Sequence, residues 1–359
     1  MDPITHAAAG ALAGSAVRRL LRLQRQPESN DPTIGRLDIS QNQALFIGAL
    51  AGLLPDMDIL SYVISPLHYH AYWHGTYTHS LLLAPLWAGL FALLLIVIQR
   101  GLCSARARPS FSIIYWIGLA GIFSHIALDL ITAWDVGIWL PLSQERVSFG
   151  LIFLVDLIFS ASILLGLWAV YRQWKPWILI CSLTFAMAWL GFAYVQKQEA
   201  IQIAHKTHPN LPQQLAAWPQ PFSVFHWKLV TGGHDGFWQA HVRISNRAPL
   251  QWPLPLIQDT VDGFTPPHNL HWQFYPTAPN ADAKRAWEHP AFSPVRDFKT
   301  YPIFMEQDAL GCVWFTDLLY VIPEQTPPFV YGFCEHPDGR FTVERKPSVN
   351  LFNRRSIAR

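Results

Sequence analysis

The sequence of 359 residues contains little charge. Lys, Arg, Asp and Glu make up 14% of it, whereas a typical soluble protein has about 25%. Hydrophobic residues reach 51%, and the formal net charge is only +2. These values exclude a disordered chain, which needs low hydrophobicity and high net charge, and we expect no nucleic-acid partner. Because the mean hydropathy of +0.18 is modest, we expect a membrane-embedded half joined to a water-exposed half.

Cysteine is also scarce, with four residues in the chain. Cys103 and Cys181 fall in the apolar half, whereas Cys312 and Cys334 fall in the polar tail. None accompanies the ionisable residues described below, which excludes a structural zinc site made of thiolates. Cys312 and Cys334 are either two unrelated thiols or a disulfide, and a disulfide persists outside the cytoplasm. The sequence has no internal repeat, Gly-rich phosphate loop or heptad pattern.

Long apolar runs dominate the first 197 residues. Leu81–Ile98 and Pro176–Val195 carry no charge, and each is close to the roughly 20 residues that cross a bilayer. Weaker candidates, which contain a few polar residues, cover 5–23, 43–65, 112–134 and 149–171. We therefore predict an α-helical membrane domain of about six helices over residues 1–197.

Basic residues in the loops predict the orientation of these helices. If residues 1–4 lie outside the cytoplasm, the outer loops before residue 197 contain only Arg146. The inner loops then contain ten basic residues: Arg18, Arg19, Arg22, Arg25, Arg36, Arg100, Arg106, Arg108, Arg172 and Lys175. Positive charge concentrates on the cytoplasmic side, so the tail after the sixth helix is expected outside. No basic residue precedes the first apolar run, which is atypical of a signal peptide and favours a retained helix.

The tail, residues 198–359, has a different character. Pro-rich turns separate short runs at 222–230, 238–244 and 316–322. Polar and apolar residues alternate over 239–244, which is typical of a half-buried strand. We therefore predict a small β-rich extracytoplasmic domain over 198–359.

Ionisable residues inside the apolar half are the informative ones, because a charge in the bilayer costs at least a few kcal/mol and usually faces a protein interior. All of them are potential metal ligands, and the predicted topology brings them to the outer leaflet. They are His6, Asp56, Asp58, His74, His79, His125 and Asp129, with Asp156 as a further candidate.

Their spacing favours a shared site. His125 and Asp129 are four apart, so they lie on one helix face. Pro55 should bend its helix and direct the two acids that follow, Asp56 and Asp58, inward. A turn through residues 75–76 would let His74 and His79 converge. Imidazole nitrogens with carboxylate oxygens suit a divalent metal, zinc first, with manganese or magnesium as alternatives.

Each residue also has an ordinary structural explanation. His6 can simply start a helix, the pair Asp56 and Asp58 can cap one, and His125 can form a buried hydrogen bond with Asp129. Occurrence of all of them in one leaflet favours the metal site. His68 and His70 lie nearby in the sequence, but an interfacial position is the favoured interpretation for both.

Four motifs resemble one known family. They are Thr5-His6, Pro55-Asp-Met-Asp58, His74-Gly-Thr-Tyr-Thr-His-Ser80 and Ser124-His-Ile-Ala-Leu-Asp129. Together they resemble the LexA-binding, inner-membrane-associated, metal-dependent hydrolases (the YdjM-like family) over about residues 1–175. Members usually have Arg-Gly where Gly75 and Thr76 stand here. If that arginine contacts an anionic substrate, the resemblance leaves Arg146 as the only basic residue of an outer loop to replace it.

The ligand order is also similar to that of zinc-dependent phospholipase C and related single-strand nucleases. This resemblance implies that Asp129 bridges two metals. The downstream His-x-x-x-Glu that completes a three-metal cluster in those enzymes is missing here, so one or two metals are expected.

Together these observations predict a hydrolase of the bacterial inner membrane that cleaves a phosphoester or ester of a lipidic substrate at the outer leaflet. Asp56, His74 and Arg146 are the predicted catalytic residues, and His6 with His74 would complete a second metal position or move protons. Two alternatives are a divalent-cation transporter and a structural protein whose tail binds a protein or an envelope polymer.

Overall fold

A computed structural model describes residues 1–23, 39–102, 109–208, 215–221, 223–245, 255–323, 325–336 and 338–346. Cys103 and the loop residues Arg25, Arg36, Arg106 and Arg108 lie outside these ranges. The described chain forms two compact units. The first contains residues 1–69 and 73–193, and the second contains residues 70–72 and 194–359.

The apolar half is helical, as predicted. Its helices are α1 (Pro3–Leu23), α2 (Gln41–Leu53), α3 (Ala84–Leu102), α4 (Phe111–Leu130), α5 (Leu157–Tyr171) and α6 (Pro176–Thr207). Within the described residues, α3, α4 and α6 are long and apolar enough to cross a membrane. A fourth span is formed if α2 is counted together with the bent segment that follows it. The number of six spans therefore stays a prediction.

Pro55 bends the chain after α2, as the sequence predicts. The helix begins with a capping box, in which Ser40 and Gln43 each bond the backbone N–H of the other. It ends at Leu53, and a 3₁₀ segment, Pro55–Val63, continues at an angle of 49°. Because proline cannot donate the next helical hydrogen bond, the chain turns here and carries Asp56 and Asp58 away from the helix axis.

Glycines allow α1 and α2 to pack with their backbones in contact. A Cβ atom on Gly10 would lie 2.3 Å from the carbonyl oxygen of Gly48, and one on Gly52 would lie 2.5 Å from the carbonyl oxygen of His6. Close approach through small residues is typical of membrane helices. As a result, His6 on α1 is held beside the end of α2, immediately before the bend.

Helix α5 is shorter than the predicted apolar run at 149–171. It starts at Leu157, because the carboxylate of Asp156 accepts the backbone N–H groups of Ile158 and Phe159 and caps the helix. The preceding residues are not helical, and Ile152 forms a β-bridge with Thr132. Hydropathy does not distinguish this apolar loop from a helix.

The second unit contains two antiparallel four-stranded sheets with the orders β1-β2-β3-β4 and β5-β6-β7-β8. The first sheet consists of β1 (Leu215–Gln220), β2 (Ser223–Gly233), β3 (Gly236–Arg243) and β4 (Gln273–Pro276). The second consists of β5 (Pro302–Gln307), β6 (Val313–Asp317), β7 (Tyr331–Glu335) and β8 (Phe341–Arg345). Three short helices accompany them: α7 (Pro255–Asp262), α8 (Ala281–Glu288) and α9 (Ser293–Phe298).

The β-rich character of the tail and the strand predicted over 239–244, which is β3 as far as Arg243, are confirmed. Of the two other short runs, residues 223–230 lie in β2, whereas 316–322 leaves its strand after Asp317. That carboxylate accepts the N–H of Leu319 and starts a 3₁₀ turn, Leu318–Tyr320. Of the two possibilities for Cys312 and Cys334, the structure has the disulfide.

Candidate metal centre

Two 3₁₀ turns and one end of α4 build the first ligand group. Asp56 follows the bend at Pro55, His79 ends the turn Tyr77–His79, and His125 and Asp129 lie one helical turn apart near the end of α4. Ligand atoms of all four residues lie within 4.8 Å of one another. The two imidazole Nε2 atoms are 3.1 Å apart. Their distances to the nearest oxygens of Asp56 and Asp129 run from 3.1 to 3.5 Å.

Hydrogen bonds set which ring nitrogen of each imidazole faces this group. Nδ1 of His125 lies 2.7 Å from the carbonyl oxygen of Gly52, which only accepts, so this nitrogen carries the proton. The hydroxyl of Thr78 donates to Asp58 and therefore accepts from Nδ1 of His79. Both Nε2 atoms then present lone pairs to each other and to two carboxylates. Facing lone pairs repel unless a proton or a metal cation lies between them. This is the usual orientation of metal-binding histidines.

A second, more open group lies beside the first. It consists of Asp56, Asp58 and His74, whose ligand atoms are again within 4.8 Å of one another. Nδ1 of His74 lies 3.1 Å from Oδ1 of Asp58. The side chains of His74 and Asp56 are 19% and 28% exposed, whereas those of His79 and His125 are completely buried. Asp56 therefore belongs to both groups and stands at their accessible side.

His6 lies behind the first group and is also completely buried. Its ring stacks on that of His125 with centroids 3.7 Å apart. Nε2 lies 3.2 Å from Oδ1 of Asp129, yet neither ring nitrogen makes a hydrogen bond of acceptable geometry. Oδ1 of Asp129 also accepts a hydrogen bond from the amino group of Met1 at 2.5 Å. Buried polar atoms without a partner are rare, so the donor set fits a bound cation.

The resemblance assigns the bridging role to Asp129. In the structure, however, Asp56 is the carboxylate common to both groups. The two oxygens of Asp129 face different partners: Oδ2 faces His79 and His125, and Oδ1 faces His6 and Met1.

Arg146 lies against the turn that carries His74. Its guanidinium group donates to the side chain and carbonyl of Asp135 and to the carbonyl of His74. Gly75 adopts φ +70°, and a Cβ atom there would lie 2.9 Å from Nη2 of Arg146. The arginine therefore occupies the space that this glycine leaves open, one residue away from a ligand.

The structure does not bring Asp156 to either ligand group. Besides capping α5, its carboxylate accepts the indole N–H of Trp189. His68 is exposed and lies beside Ser65. Sequence reasoning missed Thr78, Asp135 and the carbonyl of Gly52, which orient the ligands. Of these three, only Thr78 could have been identified from the sequence, because it directly precedes His79.

No curated protein and no solved structure matches the chain. A family match exists for the helical half: residues 1–200 match the family described as YdjM inner membrane protein. The matched segment is more than half of the 359 residues and includes every ligand of both groups. The chain therefore belongs to the YdjM inner membrane protein family.

Proposed function

We propose that the protein is a membrane-bound metal-dependent hydrolase that cleaves a phosphoester or ester of a lipidic substrate. The observation that carries this proposal is the pair of ligand groups that share Asp56 and differ in exposure. The buried group surrounds its centre with four protein ligands. The open group has three, and sites with three protein ligands and an open position are typical of catalysis rather than of structural metals.

The position of each site residue determines the role that we assign to it. His79, His125, Asp129 and Asp56 would hold one cation, and Asp56, Asp58 and His74 would hold a second. A divalent cation lowers the pKa of a water that binds it and stabilises negative charge on the attacked group. With one bound cation instead of two, His74, which is partly exposed beside Asp58, would exchange a proton with the substrate side. We infer that Arg146 positions His74, because its charge is paired with Asp135 and it bonds the His74 carbonyl.

Zinc is the metal that the buried group fits best. Zinc bonds to nitrogen and oxygen are about 2.0–2.1 Å long, so the edges of its tetrahedron measure about 3.3–3.4 Å. The separations of 3.1–3.5 Å between ligand atoms are close to this value. Magnesium prefers oxygen ligands at octahedral edges of about 2.9 Å. Manganese, which accepts mixed ligands, is the second candidate.

We further propose that both groups lie near the outer leaflet, that the helices cross the membrane several times, and that residues 198–359 form a domain outside the cytoplasm. Support comes from the ends of the helices. His6 opens α1, and the pair His125 and Asp129 is in the last turns of α4. Arg22, at the opposite end of α1, is one of the basic residues expected on the cytoplasmic side. A site at this depth suits a lipid better than a water-soluble substrate.

A cation transporter is less well supported. Such a pathway needs polar groups at several depths. Among the described residues, α1 and α2 pack through glycine backbones. The buried residues of α4 that precede His125 are isoleucines, leucine and glycines.

The test uses the full chain purified in nanodiscs. Metal content is measured by elemental analysis, and hydrolysis is measured with a phospholipid and a polyprenyl phosphate. We expect His125→Ala to lose metal and activity, whereas the matched control His68→Ala, a nearby exposed histidine, keeps both. Full activity and wild-type metal content in His125→Ala would refute the proposal. Metal flux into proteoliposomes without hydrolysis would favour the transporter.

A further inference from the structure

Three residues from the helical half of the sequence belong to the second unit. Residues 70–72 lie in the sequence between two ligands of the open group, Asp58 and His74. They nevertheless form one compact unit with residues 194–359, whereas residues 1–69 and 73–193 form the other. The chain therefore leaves the first unit for three residues and re-enters it at Trp73, directly before a metal ligand.

Aromatic and acidic side chains of the second unit hold these three residues. The ring of His70 lies 4.7 Å from that of Phe329 and 5.4 Å from that of Phe298, measured between centroids. These distances are typical of attractive aromatic contacts. The hydroxyl of Tyr72 donates to Oδ2 of Asp297 at 2.7 Å. Together, Asp297, Phe298 and Phe329 form a clamp on residues 70–72.

The clamp is fixed by its own unit. Phe329 packs on Phe298 with centroids 5.4 Å apart, and Tyr320 contacts both rings. The carbonyl oxygen of Phe329 accepts hydrogen bonds from the ammonium group of Lys299 at 3.0 Å and from the hydroxyl of Thr316 at 3.3 Å. All of these residues lie beyond residue 200, where the family match ends. The clamp is therefore not part of the segment that defines the family.

The segment that the clamp holds has an uncommon backbone. Tyr69–Trp73 forms a π-helical turn, in which the N–H of His74 donates to the carbonyl oxygen of Tyr69 at 2.8 Å. Single π-helical turns are rare and are frequent at functional sites. Residues 70–72 are the central three residues of this turn, so the clamp holds the middle of it.

The end of the turn sets the position of His74. The backbone becomes extended there, with φ −77° and ψ 137°. The imidazole stacks on the ring of Tyr69 with centroids 4.9 Å apart, and its Nδ1 atom lies 3.1 Å from Oδ1 of Asp58. Unwinding of the turn would break the hydrogen bond from His74 to Tyr69 and move the imidazole relative to Asp58.

We propose that the second unit controls cation binding in the open group, because its clamp holds the turn that positions His74. This inference rests on the proposed function, since it concerns the cation assigned to Asp56, Asp58 and His74. His70 and Tyr72 are then positioning residues. Release of the turn would lower the fraction of molecules that can bind the second cation, and the apparent affinity falls with that fraction. The buried group has no ligand in the turn, so its affinity should not depend on the clamp.

The test titrates the full chain in nanodiscs with Co²⁺. The visible absorption of cobalt reports binding, and elemental analysis counts the bound ions. We expect the wild-type chain to bind two ions, one of which is lost in His74→Ala. That loss identifies the part of the titration that belongs to the open group.

Matched variants of one residue type test the clamp. Phe329→Ala removes a ring that His70 contacts and should weaken Co²⁺ binding to the open group at least about tenfold, as loss of an outer partner of a ligand does. Binding to the buried group should be unchanged. Phe329→Tyr keeps the ring and should restore the wild-type affinity. Phe304→Ala is the control, because this half-buried phenylalanine of β5 packs on Phe315, and it should leave both groups unchanged.

A milder variant keeps the test valid if Phe329→Ala fails to fold. Tyr72→Phe removes one hydroxyl group and should weaken binding to the open group about threefold. Hydrogen exchange at residues 69–74, measured without metal, gives a second readout. It should be faster in Phe329→Ala and Tyr72→Phe and unchanged in Phe304→Ala.

The outcomes separate this inference from the hydrolase proposal. Wild-type affinity of the open group in both Phe329→Ala and Tyr72→Phe would overturn the inference. Equal weakening of both groups in Phe329→Ala, or a wild-type chain that binds no ion sensitive to His74→Ala, would also overturn it. Two bound ions with the expected shifts, but no hydrolysis of any lipid substrate, would refute the hydrolase proposal alone.

Discussion

Two buried charged residues of the second unit, Lys228 and Asp317, differ in their surroundings from the ligand groups of the first unit. In the second unit, Lys228 is completely buried, but its ammonium group donates to the carbonyl oxygens of Leu318 and Leu319 at 2.6 and 3.0 Å. Asp317, also completely buried, accepts backbone N–H groups of three residues, Thr300, Tyr301 and Leu319. In the first unit, imidazoles and carboxylates face one another, and the ring nitrogens of His6 have no hydrogen bond.

This difference in hydrogen bonding shows which buried ionisable groups indicate a ligand. When the backbone supplies the hydrogen bonds of a buried group, no ligand is needed, since these bonds replace the ones that the group makes with water in the unfolded chain. Lone pairs that face lone pairs are not explained in this way and need a proton or a metal cation between them. Sequence alone does not separate the two cases, because Lys228 and His125 are both ionisable residues in largely apolar runs of the sequence.

The largest expected effect comes from the shared carboxylate. Asp56→Asn removes a charge from both ligand groups and should lower both metal affinity and activity at least about 100-fold, because loss of outer partners of ligands alone costs about 10–100-fold. His74→Ala should remove metal from the open group only. Elemental analysis gives the stoichiometry. Asp317→Asn is the control in the other unit: it should weaken folding but leave metal content unchanged. Equal metal loss in Asp56→Asn and His74→Ala would contradict the assignment of Asp56 to both groups.

A packing change should act on the site from a distance. Gly48→Leu places a side chain against the backbone of Gly10, where overpacking costs at least about 1–3 kcal/mol. Separation of α1 from α2 would move His6 away from the ligands, and metal affinity should fall. Gly233→Leu, where a Cβ atom would meet nothing within 4 Å, is the control in the second unit. Wild-type metal affinity in Gly48→Leu would show that the helix contact does not support the site.

Metal removal should destabilise the first unit and leave the stability of the second unchanged. A ligand present at about 100 times its Kd stabilises a fold by about 2.7 kcal/mol. Chelation should therefore speed hydrogen exchange in α4 and in residues 55–63, with no change in β2 and β3. Faster exchange in both units, or in neither, would remove the distinction between them.

The smallest effect is a pH dependence of the second unit. Burial lowers the pKa of Lys228 to about 7, compared with about 10.4 in an unfolded chain. The unfolded state then binds more protons between these values, so stability should rise with pH, by about 2 kcal/mol from pH 7 to pH 9. Hydrogen exchange in β2, corrected for its intrinsic pH dependence, measures this slope. Lys228→Met should remove that contribution. Burial also lowers the pKa of Lys299, to about 8, and its part of the slope should remain.

The predictable parts of the structure depend on local patterns. The uncharged run that starts at Pro176 predicts a helix because a helix is the local structure that pairs all polar backbone groups within one segment in lipid. Alternation over 239–244 predicts β3 because side chains change faces at every residue. The prediction at 149–171 was wrong before Leu157, since the cap at Asp156 and the bridge at Ile152 depend on specific contacts.

What the sequence determined by itself was the set of residue types and the points where the chain must turn. Imidazoles and carboxylates in apolar helices, Pro55 after α2 and Gly75 before His79 follow from local chemistry alone. Only the tertiary structure decided that Asp56 belongs to both ligand groups, that Thr78 and the Gly52 carbonyl turn the lone pairs of His79 and His125 inward, and that Arg146 pairs with Asp135. The physical reason is that ligand geometry depends on distances of a few ångströms between segments many residues apart, and only packing sets those distances.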